Sequence, residues 1–246
     1  MTNLVYFLPM PRQHRVRILA YEGCQLLDVT GPAAVFGAVN EAVGKPHYDL
    51  AIVSPDGGLV ASNCGDALQS RRIRSIGGGQ ADTLLVAGGS RGLRAAMARQ
   101  DVRRWLRKVA PGARRFGSVC TGSLVLGAAG LLKGYRSACH WAWREMLSDF
   151  GAIPVAERVV RDRNRISGGG VTAGIDFGLT LAAELIGEEA AKTLQLSFEY
   201  DPQPPFDCGS PEKAGQERVR KLKERLAPML DVRRKANEAA AARLGR

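Results

Sequence analysis

The stretch RRFGSVCTGSLVLGAAGLL, residues 114–132, joins two different patterns through one cysteine. Arg114 to Val119 reads as a short strand, and Thr121 to Leu132 as an apolar helix. Small residues, Ser118 and Gly122, stand two before and two after Cys120. That is the spacing of a nucleophile elbow, with Cys in the place of Ser. The reason is steric: in so tight a turn, larger side chains at those positions would collide with the backbone of the nucleophile. The following helix aims its amides and dipole at the sulfur, which favours thiolate. A free cysteine is ordinarily a small buried hydrophobe. The elbow spacing favours a nucleophile at Cys120 and leaves Cys24, Cys64, Cys139 and Cys208 as ordinary thiols.

Working outward, the same strand-to-helix step recurs. VRILAY (16–21) reads as a first strand and TGPAAVFGAVNEAV (30–43) as a helix, with Thr30 near its cap and Pro32 in its first turn. YDLAIVS (48–54) is a second strand, and residues 59–76 read as short strands with turns. ADTLLVAGG (81–89) is a buried strand ending in Gly88-Gly89. Residues 91–109 read as helix in one or two pieces, 140–151 as helix, 158–170 as a hairpin and 172–187 as a long apolar helix. Such alternation predicts an α/β fold, a mostly parallel sheet with helices on both faces. Sites then form at the carboxyl ends of the strands. There the Thr121 N–H is a natural oxyanion donor, and Gly88-Gly89 offers a second.

The totals constrain partners. The 246 residues suit one globular domain with a tail. The net charge of +11 sits on residues 91–115 and 212–246, and the rest of the chain sums to −3. Without aromatic interleaving, zinc-finger spacing or a helix-turn-helix pair, this predicts solvated basic faces and no nucleic-acid partner. Five cysteines with no CxxC pair predict free thiols in a reducing compartment. No apolar run approaches a membrane span, and the first fifteen residues do not read as a signal peptide. The expectation is a cytoplasmic protein without membrane contact. After residue 198 the chain turns proline-rich, then reads as helix over 212–244, with Val219, Leu222, Leu226 and Leu230 on one face and a kink or break at Pro228.

A thiolate needs a proton partner. Asp28, in QLLDVTGP (25–32), stands after the first strand among Leu26, Leu27 and Val29. It either caps the helix that follows or is a partly buried carboxyl near Cys120, whose raised pKa lets it donate a proton. His140 directly precedes a helical segment and either caps it or approaches the site.

Asp28, Gly88-Gly89, Cys120-Thr121 and GGGVTAGIDFGLTLAAEL (168–185) together resemble the PfpI-like branch of the class I glutamine amidotransferase-like superfamily. The match is closest in character to the isonitrile hydratases of that branch. It is carried by SVCTGSLVLGAAGLLKG (118–134), HWAWREML (140–147), GAIPVAERVVRD (151–162), GGGVTAGIDF (168–177) and EYDPQPPFDCGSP (199–211). The resemblance covers residues 16–246. It implies a flavodoxin-like sandwich, a homodimer, and no metal or organic cofactor. It divides the chain into an N-terminal extension (1–15), the PfpI-like domain (16–198), and a proline-rich segment with a C-terminal helix packed on that domain (199–246). It makes Cys120 the nucleophile, Asp28 the acid and base, and Thr121 an assisting residue. The implied reaction is hydration of a small isonitrile to an N-substituted formamide through a thioimidate. Many superfamily members carry His directly after the cysteine; this chain has Thr121, which argues against peptidase-type chemistry. The alternatives are another cysteine-dependent hydrolase or lyase of small carbonyl or amide substrates, a ligand-sensing module without a DNA-binding domain, and a redox sensor.

Overall fold

The computed structural model describes residues 13–43, 47–77 and 81–244. In chain order it runs β1 (His14–Leu19), α1 (Leu26–Val43), β2 (Tyr48–Ser54), β3 (Gly58–Ala61), β4 (Ala67–Arg72), β5 (Thr83–Val86), α2 (Leu93–Ala98), α3 (Gln100–Val109), β6 (Arg115–Val119) and α4 (Gly122–Ala128). Then come β7 (Arg136–Ser137), a 3-10 helix (Arg144–Phe150), β8 (Ile153–Pro154), β9 (Val159–Asp162), β10 (Arg165–Gly168), α5 (Ala173–Ile186), α6 (Glu188–Ser197), α7 (Pro211–Ala214) and α8 (Gln216–Ala242). Eight strands form one sheet in the order β3-β4-β2-β1-β5-β6-β10-β9. The five central strands pair in parallel, β2 with β1, β1 with β5, β5 with β6 and β6 with β10. This is the flavodoxin-like order, with antiparallel additions β3 and β9 at the edges.

Helices cover both faces. α1, α5 and α6 pack together on one side; α2, α3, α4, the 3-10 helix and α8 pack on the other. A sheet covered twice needs apolar residues in both directions of its pleat, so all four residues of β5 are buried. Ile18 and Leu19 of β1, Leu84 and Leu85 of β5 and Phe116 of β6 lie at the centre of the core.

Several elements differ from the sequence reading. β1 starts at His14, which is buried and hydrogen-bonds Thr83 at 2.8 Å, so the sheet begins inside the segment read as an extension. Residues 1–12 lie outside the described residues. α1 starts at Leu26, which puts Asp28 inside its first turn and Pro32 a turn further in. Residues 140–151 form turns and the 3-10 helix, ended by Gly151 at φ 68°. α6 was not anticipated; Gly187 at φ 94° separates it from α5. In the tail the break falls at Gly215, φ 80°, and α8 runs unbroken through Pro228. Pro228 and Glu224, whose carbonyl loses its helical partner, are both exposed, so water can serve that carbonyl. Leu222 is 36% exposed, and the buried face of α8 is Arg233, Asn237 and Ala240, with Leu226 and Leu230 beside it. No helix among the described residues is long and apolar enough to cross a membrane.

Candidate active site

Asp28, Gly88 and Cys120 stand beyond the carboxyl ends of β1, β5 and β6, three neighbours in the sheet. Cys120 has φ 57°, a left-handed backbone for a residue that carries a side chain. Its N–H donates to Gly168 O at 3.0 Å, which ties the turn to β10. Such a conformation costs on the order of 1–3 kcal/mol and persists where the surroundings hold it. The small neighbours have visible causes. Ser118 is fully buried in β6, and a Cβ on Gly122 would fall 2.1 Å from Val86 O. The chain therefore turns sharply at Cys120, and α4 begins against the end of β5.

Asp28 is 1% exposed. Its Oδ2 accepts the Gly88 N–H at 2.9 Å, while Oδ1 is buried without a hydrogen-bond partner. Burial pushes its pKa up to about 7, against the pull of the Gly88 amide and the neighbouring Cys120 thiol. Gly88 is where the elements meet. A Cβ there would lie 2.6 Å from Thr121 N, 2.7 Å from Asp28 Oδ2 and 2.9 Å from Cys120 Cβ. Burial, then the Asp28 carboxyl and Cys139, push the Cys120 thiol up; the Thr121 amide and hydroxyl pull it down.

Thr121 and Gly89 are locked together. The Gly89 N–H donates to Thr121 Oγ1 at 2.9 Å, and that hydroxyl donates to Gly89 O at 2.9 Å. The expectation of Gly88 and Gly89 as free oxyanion donors is thereby corrected: both amides already serve side chains of the site, Asp28 and Thr121. The Thr121 amide remains the donor directed at the sulfur.

His140 takes the capping role of the two expected for it, in the form of a turn, and no hydrogen bond to Cys120 or Asp28 is seen for it among the described residues. Its Nδ1 accepts the Ala142 N–H at 3.3 Å, closing a turn, and its ring lines a cavity of about 530 Å³ with Cys139, Trp141, Gly169 and Glu212. Burial and the charge of Arg233 hold it below the ordinary histidine range. Cys139 is buried, and desolvation pushes its pKa to about 12, so it stays an ordinary thiol. No group of three or more His, Cys, Asp or Glu side chains that could hold a metal ion occurs among the described residues.

Two residues near the sulfur escaped the sequence reading. Tyr21 follows β1, is 4% exposed, and has a buried hydroxyl without a partner, close to Cys24, Asp28 and Cys120. Its position just past a central strand was the available signal. Arg233, on α8, is 5% exposed and reaches the carbonyls of Gly89 and Ser90 at 3.3 and 3.0 Å. Among the many basic residues of the tail, nothing in the sequence marked it.

Comparison with known proteins identifies relatives of the chain. The chain is 42% identical to an isonitrile hydratase of Pseudomonas putida over 231 residues, 94% of this chain and 97% of that one. It is 29% identical over 199 residues to the transcriptional regulator GbdR of Pseudomonas aeruginosa, of whose length it spans about half, 53%. The crystal structure of a THiJ/PfpI family protein from Pseudomonas syringae superposes with a TM-score of 0.85 at 36% identity, covering 97% of this chain and 93% of that one. The DJ-1/PfpI family profile matches residues 14–184. That span holds every strand of the eight-stranded sheet and the turns bearing Asp28, Gly88 and Cys120, and the chain belongs to the DJ-1/PfpI family.

Proposed function

We propose that the protein hydrates small isonitriles to N-substituted formamides, with Cys120 as nucleophile and Asp28 as acid and base. The observation that carries this reading is the buried Asp28 carboxyl, with a pKa of about 7, set against the thiol of an elbow cysteine. The likeness to the Pseudomonas putida isonitrile hydratase over nearly the whole of both chains supports it.

An isonitrile, R–N≡C, carries its lone pair on the terminal carbon. Asp28 in its neutral form gives that carbon a proton as the Cys120 thiolate adds to it, forming a C–S bond and a thioimidate. Asp28, now ionised, takes a proton from a water as its oxygen attacks the same carbon. Asp28 passes that proton to the nitrogen, then takes the hydroxyl proton as the tetrahedral adduct collapses and the C–S bond breaks, and the formamide leaves with the thiolate and the neutral acid restored. One water is consumed. A carboxyl with a pKa near 7 suits both directions of transfer at neutral pH. The Thr121 hydroxyl, held by Gly89, fixes the turn that presents its own amide to the sulfur. The cavity lined by Cys139 and His140 is the candidate space for R, although neither Cys120 nor Asp28 is among its lining residues. A homodimer is part of the same reading, and light scattering tests it.

The test is incubation of the protein with cyclohexyl isocyanide, following formamide by chromatography beside a Cys120→Ala variant. Formamide from the wild type alone is expected. A folded wild type that makes none rejects the substrate, and formamide from both rejects the nucleophile.

A further inference from the structure

Burial, the Asp28 carboxyl and Cys139 all work against a thiolate at Cys120. The charged and titratable groups that face it come from several elements. They are Tyr21 in the turn after β1, Asp28 on α1, Cys139 after β7 and Arg233 on α8, with Cys24 beside Tyr21 and Asp28, and His140 beside Arg233. Tyr21, Cys24 and Cys139 are neutral at neutral pH, since burial raises each of them. His140 is kept neutral by burial and by Arg233. Arg233 is the permanent cation of this group.

Its surroundings are unusual for a buried cation. One nitrogen, Nη2, donates to the Gly89 and Ser90 carbonyls. The guanidinium lies over the Trp143 ring at 3.8 Å from its centre. Nη1 is buried with no hydrogen-bond partner. No carboxylate pairs with it among the described residues; Asp149 bonds Asn237, one turn further along α8. A buried charge without a counter-charge is costly. The Gly89 carbonyl that Arg233 holds also accepts the Thr121 hydroxyl, so one peptide separates the guanidinium from the elbow.

We propose that Arg233 is a positioning residue of the active site: delivered by the C-terminal helix, its guanidinium is the counter-charge for the Cys120 thiolate and fixes the Gly89 carbonyl against which Thr121 is held. The active site is then built from two parts of the chain, the sheet and a tail helix that begins beyond residue 184, where the family match ends. The proposal rests on Cys120 reacting as a thiolate and is independent of the substrate.

The experiment measures alkylation of Cys120 by iodoacetamide against pH, located by peptide mass, in wild type, Arg233→Met and Arg233→Lys, with circular dichroism to establish folding. Losing a nearby opposite charge raises a thiol's pKa, so the half-point in Arg233→Met should move up by about one pH unit. Arg233→Lys, which keeps the charge, should stay within a few tenths. A folded Arg233→Met with the wild-type profile overturns the proposal. Should Arg233→Met not fold, Arg233→Gln, which loses the charge and keeps a donor for the Gly89 carbonyl, decides: its half-point should move up as well, and a folded Arg233→Gln with the wild-type profile overturns the proposal. A Cys120 inert at every pH overturns this proposal and the nucleophile together. An intact shift without isonitrile turnover supports this proposal and removes only the substrate.

Discussion

At the carboxyl edge of the sheet the site is made largely of backbone. Cys120 is held at φ 57°, Gly88 gives its amide to Asp28, and Gly122 lets α4 start directly on β5. On α8 the contribution is one long side chain, Arg233, beside a second polar anchor, Asn237, which donates to Met146 O and Asp149 at 3.2 and 3.1 Å. The first region tolerates almost no added atom and holds its groups by close approach. The second holds by hydrogen bonds and a ring contact that reach across a gap. The edge sets the geometry around the Cys120 sulfur, while the tail brings a buried cation, Arg233, to the carbonyl of Gly89.

The contrast breaks most completely at the edge. Gly122→Val places its Cβ 2.1 Å from the Val86 carbonyl, an atom of the central sheet that cannot move aside. The expected loss is more than about 4 kcal/mol, seen as a failure to fold or a collapsed urea midpoint. A Gly122→Val protein as stable as the wild type would mean that α4 is not seated on β5 as described.

Asp28→Asn separates function from stability within the edge itself. Formamide production should fall by roughly 10²–10⁴-fold, the usual worth of a general acid–base group. Stability should move the other way. The folded-state pKa is raised from 3.8 to about 7, so between those values the folded protein holds a proton that the unfolded chain has released. Stability contributed by this group therefore falls as pH rises through that window, and above pH 7 the buried carboxylate costs on the order of 2–4 kcal/mol. Asn has no charge to bury and still offers an oxygen to the Gly88 amide. Asp28→Asn should melt higher than the wild type at pH 8 and lose that advantage near pH 4. Equal melting temperatures at pH 8 would show that the carboxyl is not raised.

The smallest effects sharpen the picture of the tail. Asn237→Ala leaves two acceptors on the 3-10 helix side without their donor and should lower stability by about 1–3 kcal/mol, with earlier proteolysis in α8. Leu222→Ser, on the open half of the same helix, should change stability by less than about 0.5 kcal/mol. Similar losses from the two would mean that the helix docks along its whole length.

The same contrast explains what could be read from the chain. The edge was legible because its rules are steric and local. Small residues at ±2 of Cys120 and two glycines closing the strand pattern of 81–89 are written in spacing. Thr30 looks like a helix cap in the sequence, but α1 starts four residues earlier and the Thr30 hydroxyl donates to Leu26 O within it. The tail was misread because apolar periodicity was the guide, and the residues that seat α8 most deeply include Arg233 and Asn237. A polar anchor leaves no periodic trace, and one arginine among many reveals its role only when its partners are seen.

The hydrogen bonds that hold the site join residues 60, 32 and 144 positions apart. Contacts of such long range form late in folding, since each must first close a large loop. Until then Cys120 is a thiol on a flexible chain with the ordinary acidity of a free cysteine, which burial in the folded site then raises. The arrangement proposed for catalysis, Cys120 set beside Asp28 and tied through Gly89 to Arg233, is in this sense a property of the finished topology.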